Sequence, residues 1–78
     1  MKVLFYGRLA EAIGSRAELD QSPGCSVAEV RRQLCRIYPS ARDMLGRSRA
    51  FISDVVVTDD HLLGSDDEIE FLPPVSGG

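Results

Sequence analysis

Two periodicities organise the apolar residues of this chain. Between Ser26 and Tyr38, the residues Val27, Val30, Leu34 and Ile37 recur at helical spacing and form one stripe along a helix. Ser26 stands where an N-cap is needed, and Glu29 completes a capping box with it. Arg31, Arg32 and Arg36 fall off the stripe, late in the helix, where the dipole favours cations. Pro39 stops the helix, because the residue before a proline avoids helical angles.

The second periodicity belongs to strands. Glu68-Ile69-Glu70-Phe71-Leu72 alternates, with Ile69 and Phe71 inward and Glu68 and Glu70 outward. Lys2 to Tyr6 is instead a continuous apolar run rich in β-formers, which predicts a strand covered on both faces near the centre of a sheet. Arg16 to Asp20 reads as a brief strand with Ala17 and Leu19 on one face. Ala50–Ile52 and Val55–Val57 read as two short strands about a tight turn at Ser53-Asp54.

The connections are less marked. Gly7 to Ile13 is ambiguous, with Leu9, Ala12 and Ile13 at helical spacing and Gly14 as a terminator. Gln21 to Gly24, containing Pro23-Gly24, is a turn. Arg42 to Arg49 reads as a loop with at most a turn of helix around Met44-Leu45, and Thr58 to Asp67 as a polar loop anchored by Leu62 and Leu63.

One amphipathic helix must lay its stripe on one face of a mixed sheet. The first strand belongs centrally with the last beside it. This predicts an α+β fold of β-grasp, ubiquitin-like type: one main helix on one face of the sheet and a flexible C-terminal Gly-Gly tail. Residues 1–72 form the domain and residues 73–78 an extended tail.

Charge sharpens the picture. The net charge is −3, yet all nine basic residues lie within residues 1–49. Asp54, Asp59, Asp60, Asp66, Asp67, Glu68 and Glu70 follow with no Lys or Arg after them. This order predicts an acidic face leading to the tail, suited to a partner with a basic entrance and unsuited to nucleic acid. No apolar run approaches the ~18 residues of a membrane span, and no signal peptide is visible, so a cytoplasmic protein is expected. Cys25 and Cys35 match no zinc pattern and are expected to be reduced. Cys25 stands just before the helix start, where a thiolate is stabilised. His61 alone makes no metal site, and none is expected. Lys2 is the only lysine.

The most informative stretch is the last, Phe71-Leu72-Pro73-Pro74-Val75-Ser76-Gly77-Gly78. Gly77 and Gly78 lack Cβ atoms and can thread a slot too narrow for side chains. Pro73 and Pro74 fix φ and offer no N–H to a sheet. Six residues from Pro73 onward reach roughly 20 Å when extended. The carboxylate at the end is anionic at pH 7 and a poor electrophile, so it needs activation from outside the chain. Phe71, Leu72 and Val75 are candidates for apolar docking against a partner, with core packing the favoured reading for Phe71.

Val3-Leu4-Phe5-Tyr6-Gly7-Arg8-Leu9, Glu11 with Gly14, the capped helix, Asp67-Glu68-Ile69 and above all the Pro-Pro-Val-x-Gly-Gly ending resemble the sulfur-carrying small subunits of molybdopterin synthase. These are the MoaD type of the ubiquitin-like MoaD/ThiS family. The chain departs from that family at Ser53, where Asn is common, and at Ser65-Asp66, where Asp-Gly is usual. The resemblance implies a carrier without catalytic groups or a bound cofactor of its own. An activating enzyme of the ubiquitin-activating adenylyltransferase type uses ATP to adenylate Gly78, and a sulfur donor enzyme converts it to a thiocarboxylate. Pro73, Pro74, Val75, Ser76 and Gly77 then thread into the large subunit of molybdopterin synthase, in a heterotetramer. There the sulfur passes to a cyclic pyranopterin precursor of molybdenum cofactor. Rival readings are a thiamine-thiazole sulfur carrier, a ubiquitin-like modifier joined to proteins through Gly78, and a ubiquitin-like binding module that works through its sheet. An independent enzyme is disfavoured, as no nucleophile–base pair or cofactor loop is visible.

Overall fold

The computed structural model describes residues 1–20 and 24–73. Strand β1 (Lys2–Phe5) leads into helix α1 (Gly7–Ile13), then β2 (Arg16–Glu18) and the long helix α2 (Val27–Ile37). A 3-10 turn (Pro39–Ala41) and helix α3 (Arg42–Arg47) follow, then β3 (Arg49–Ile52), β4 (Val55–Val57) and β5 (Glu68–Leu72). The strands make one mixed sheet in the order β2-β1-β5-β3-β4. β1 runs parallel to β5, and the other pairings are antiparallel. This is the expected β-grasp arrangement, with the first and last strands side by side. Helix α3 replaces the expected loop. The turn read at Gln21, Ser22 and Pro23 lies outside the described residues.

Helix α2 forms where the spacing put it, and its capping box is complete: the Ser26 hydroxyl accepts from the Glu29 N–H at 3.2 Å and the Glu29 carboxylate accepts from the Ser26 N–H. The polar loop from Thr58 to Asp67 supplies further caps. Its carbonyls at His61 and Asp59 accept from the N–H groups of Val27 and Ala28, which an isolated helix leaves without partners. Leu63 anchors this loop in the core, whereas Leu62 is 65% exposed.

Val27, Val30 and Leu34 meet Val3, Phe5, Ile69 and Phe71 in a single core. Two expectations need correction. Ile37 continues the stripe in sequence but is 49% exposed, and it is the next residue, Tyr38, that packs edge-on against Phe5. β1 is covered on one face only: Val3 and Phe5 are buried, while Leu4 lies half-buried on the open face of the sheet.

Arg31 ties the helix layer together. Its guanidinium donates to the carbonyls of Leu45 and Ser48 and to the Ser48 hydroxyl, and it pairs with the Asp59 carboxylate at 3.0 Å. The same group lies 5.2 Å from the centre of the Phe71 ring, within cation–π range. Phe71 stacks in turn on Phe5, with ring centres 6.3 Å apart.

Candidate functional site

Since β1 and β5 are parallel, they end at the same pole of the sheet, and the tail departs there. The Tyr6 N–H donates to the Phe71 carbonyl at 3.2 Å and adds one rung beyond β1. Pro73 then ends the ladder because it has no N–H. Gly7 turns the chain from β1 into α1 in one residue at φ +59°, and the position of its absent Cβ lies 3.0 Å from Pro73 Cγ. Pro73 therefore sits against bare backbone.

Beside this root the open face of the sheet carries a groove of about 270 Å³ lined by Tyr6, Phe51, Asp54, Glu70 and Leu72. Register explains the grouping: Leu72 and Glu70 alternate onto the open face, and Phe51 stands opposite Glu70 on β3. The Tyr6 hydroxyl donates to Glu70 at 2.9 Å. That bond to Glu70, above all, raises the Tyr6 pKa above the usual tyrosine value, with smaller contributions from desolvation and neighbouring carboxylates. A groove that sets Phe51 and Leu72 beside the carboxylates of Asp54 and Glu70 can dock a partner side chain that is apolar with a cationic tip.

Of the residues singled out in sequence, Leu72 is half-buried on this open face beside Pro73. Of the two readings of Phe71, core packing holds and docking does not. It is fully buried beneath the sheet, between Phe5 and the Arg31 guanidinium, so its ring is closed to a partner. Strand alternation sends Leu72 outward and Phe71 inward. Pro74, Val75, Ser76, Gly77 and Gly78 lie outside the described residues.

The acidic approach to the tail is present but not unbroken: Asp54 and Glu70 line the groove beside Leu72, and arginines stand at the same pole. Arg49 stands directly opposite Leu72, and Arg8 follows Gly7, both of them exposed, so arginines flank the exit. Glu68 lies at the far end of β5, Asp59 is paired with Arg31, and Asp67 accepts from the Gly64 N–H within its own turn. Folding brings two arginines of the basic half, Arg8 and Arg49, to the root of the tail.

Cys25 does not have a stabilised thiolate. Burial pushes its pKa up, and the nearby Glu29 carboxylate adds to the shift. His61 is exposed, and no cluster of metal-ligating side chains exists among the described residues. No described helix is long and apolar enough to cross a membrane.

Gly7, Tyr6 and Glu70 were missed as parts of the site. Gly7 had a signal, as a glycine between an apolar strand and a helical pattern, but its contact with Pro73 joins the two ends of the chain.

Residues 3–78 match the ThiS family. The chain belongs to the ThiS family. It is 31% identical to the molybdopterin synthase sulfur carrier subunit of Mycobacterium tuberculosis, covering 100% of this chain and 96% of the relative. It is 32% identical to the subunit of the same name from Escherichia coli, covering 100% and 99%. Among solved structures, SAMP1 from Haloferax volcanii superimposes with a TM-score of 0.82 at 20% identity, over 99% of this chain and 97% of that one. A complex of subunits 1 and 2 of molybdopterin-converting factor from Helicobacter pylori matches with a TM-score of 0.68 at 22% identity, over 99% and 96%. These structures share the fold of this ThiS-family chain.

Proposed function

We propose that this chain is the sulfur carrier subunit of a molybdopterin synthase, and that the Gly78 carboxyl carries the sulfur. The observation that supports this most is the end-to-end match to two sulfur carrier subunits of that enzyme. The geometry is compatible with it: the parallel β1–β5 pair delivers Pro73 to one pole of the domain.

The chemistry follows from the carboxylate's poor electrophilicity. A ubiquitin-activating-type adenylyltransferase joins Gly78 to AMP from ATP, which creates an acyl carbon with a good leaving group. A sulfur donor displaces AMP and leaves a thiocarboxylate. Pro73 to Gly77 then enter the large subunit, where narrow Gly77 and Gly78 pass a slot that a Cβ would block. The thiocarboxylate sulfur bonds to a cyclic pyranopterin precursor, and water then cleaves the Gly78 acyl–sulfur bond, so that Gly78 returns as a carboxylate. The large subunit supplies the catalytic groups, and this chain acts as a co-substrate.

Reconstitution tests the proposal. Sulfur-loaded carrier, the synthase large subunit and the pyranopterin precursor should together yield the dithiolene product, with one sulfur lost per carrier. Gly77→Ala should lower this transfer at least roughly tenfold while leaving the thermal midpoint unchanged. Loaded carrier that delivers sulfur only to a thiazole precursor, or joins protein lysines instead, would exclude the molybdopterin assignment.

A further inference from the structure

We propose that Gly7 is a positioning residue for sulfur loading, the seat on which Pro73 rests and which sets the direction in which the chain leaves the sheet. The inference rests on the sulfur-carrier reading and adds to it a residue at the opposite end of the sequence. The contact is specific. A Cβ at Gly7 would stand 3.0 Å from Pro73 Cγ, tighter than ordinary van der Waals contact, and 3.4 Å from Pro73 Cδ, at the close limit of it. A proline ring can move Cγ only by changing its pucker, because the ring is closed onto its own backbone nitrogen, so it yields less than a flexible side chain. The strain would therefore pass to the backbone at Pro73. Upstream the chain is held, because the Tyr6 N–H to Phe71 carbonyl bond and the buried Phe71 fix the last rung of the β1–β5 ladder.

Gly7 also has φ +59°, so any substitution strains the backbone as well as the contact. Gly14, at the other end of α1, separates the two effects. It has φ +98°, yet a Cβ there meets nothing within 4 Å. Gly14→Ala strains the backbone without touching Pro73.

The test measures thiocarboxylate formation by intact mass, against carrier concentration, with a ubiquitin-activating-type adenylyltransferase, ATP and sulfide. Thermal midpoints are recorded alongside. Gly7→Ala should lower kcat/KM on the order of tenfold, whereas Gly14→Ala should lower the midpoint and leave loading within about twofold of wild type. Pro73→Ala removes the ring atoms that Gly7 faces, so adding Gly7→Ala to it should cost no further loading while still lowering the midpoint. Loading by Gly7→Ala at the wild-type rate, or an equal fall in both Pro73 backgrounds, would overturn the proposal. NOEs between Gly7 Hα and the Pro73 ring protons give a readout independent of sulfur. They should be present in the wild type, and their absence would also overturn it. A wild type that takes up no sulfur would sink the carrier reading by itself and leave the NOEs to decide on the seat.

Discussion

Neighbouring residues on β5 do opposite work because a strand alternates its faces. Phe71 is fully buried against Phe5 and Arg31, so Phe71→Ala should cost about 3–5 kcal/mol in urea unfolding. Leu72 is half-buried on the open face, and Leu72→Ala should cost about 1 kcal/mol while weakening binding to the large subunit. Equal losses of stability from the two would contradict the assigned faces. Tyr6 offers a pH test. Its hydroxyl is neutral below its pKa, and the bond to Glu70 raises that pKa. The stabilisation is thus fully present below the usual tyrosine value of about 10 and is lost as pH rises through the raised value. In a Tyr38→Phe background, which leaves Tyr6 as the only tyrosine, the phenolate absorbance should appear above the usual range. Glu70→Gln should move it back down; no movement would mean that the bond does not form in solution.

The elements most legible in the sequence are those whose determinants are local. The capping box and apolar spacing of α2 lie within a dozen residues, and the alternation of β5 within five. What escaped was set by distant parts of the chain. Arg31 reads as one more solvated arginine until the carbonyls of Leu45 and Ser48 arrive beneath it. Ile37 keeps the period of the stripe, but it is Tyr38 that meets Phe5. The turn between β3 and β4 was visible as a turn, though not in its geometry. Ser53 at φ 50° and Asp54 at φ 66° are both left-handed, the conformation that Asn-Gly adopts most readily. Replacing Ser53-Asp54 by Asn-Gly should raise the thermal midpoint by about 3–6 °C, measured by calorimetry. At Ser65-Asp66 no such gain is expected, because Asp66 is not left-handed and the turn is held by the Asp67 side chain.

At the scale of the whole molecule, the sequence halves and the spatial halves differ. Charge read along the chain separates basic from acidic residues, but antiparallel pairing returns Arg49 to Leu72, and the short β1–α1 connection brings Arg8 to the same pole. The root of the tail thus carries both charges, with Arg8 and Arg49 at the same pole as a groove lined by Asp54 and Glu70, of which Glu70 accepts from Tyr6. The β-grasp order was legible because two strongly patterned strands at the chain's ends and a single amphipathic helix admit few arrangements.

The central claim, that Gly78 carries sulfur, is tested most directly by the intact mass of the protein after incubation with a ubiquitin-activating-type adenylyltransferase, ATP and sulfide. The account predicts a gain equal to one oxygen replaced by sulfur, dependent on ATP and absent when Gly78 is deleted. No gain, with an activating enzyme shown to be active on another carrier, would contradict it.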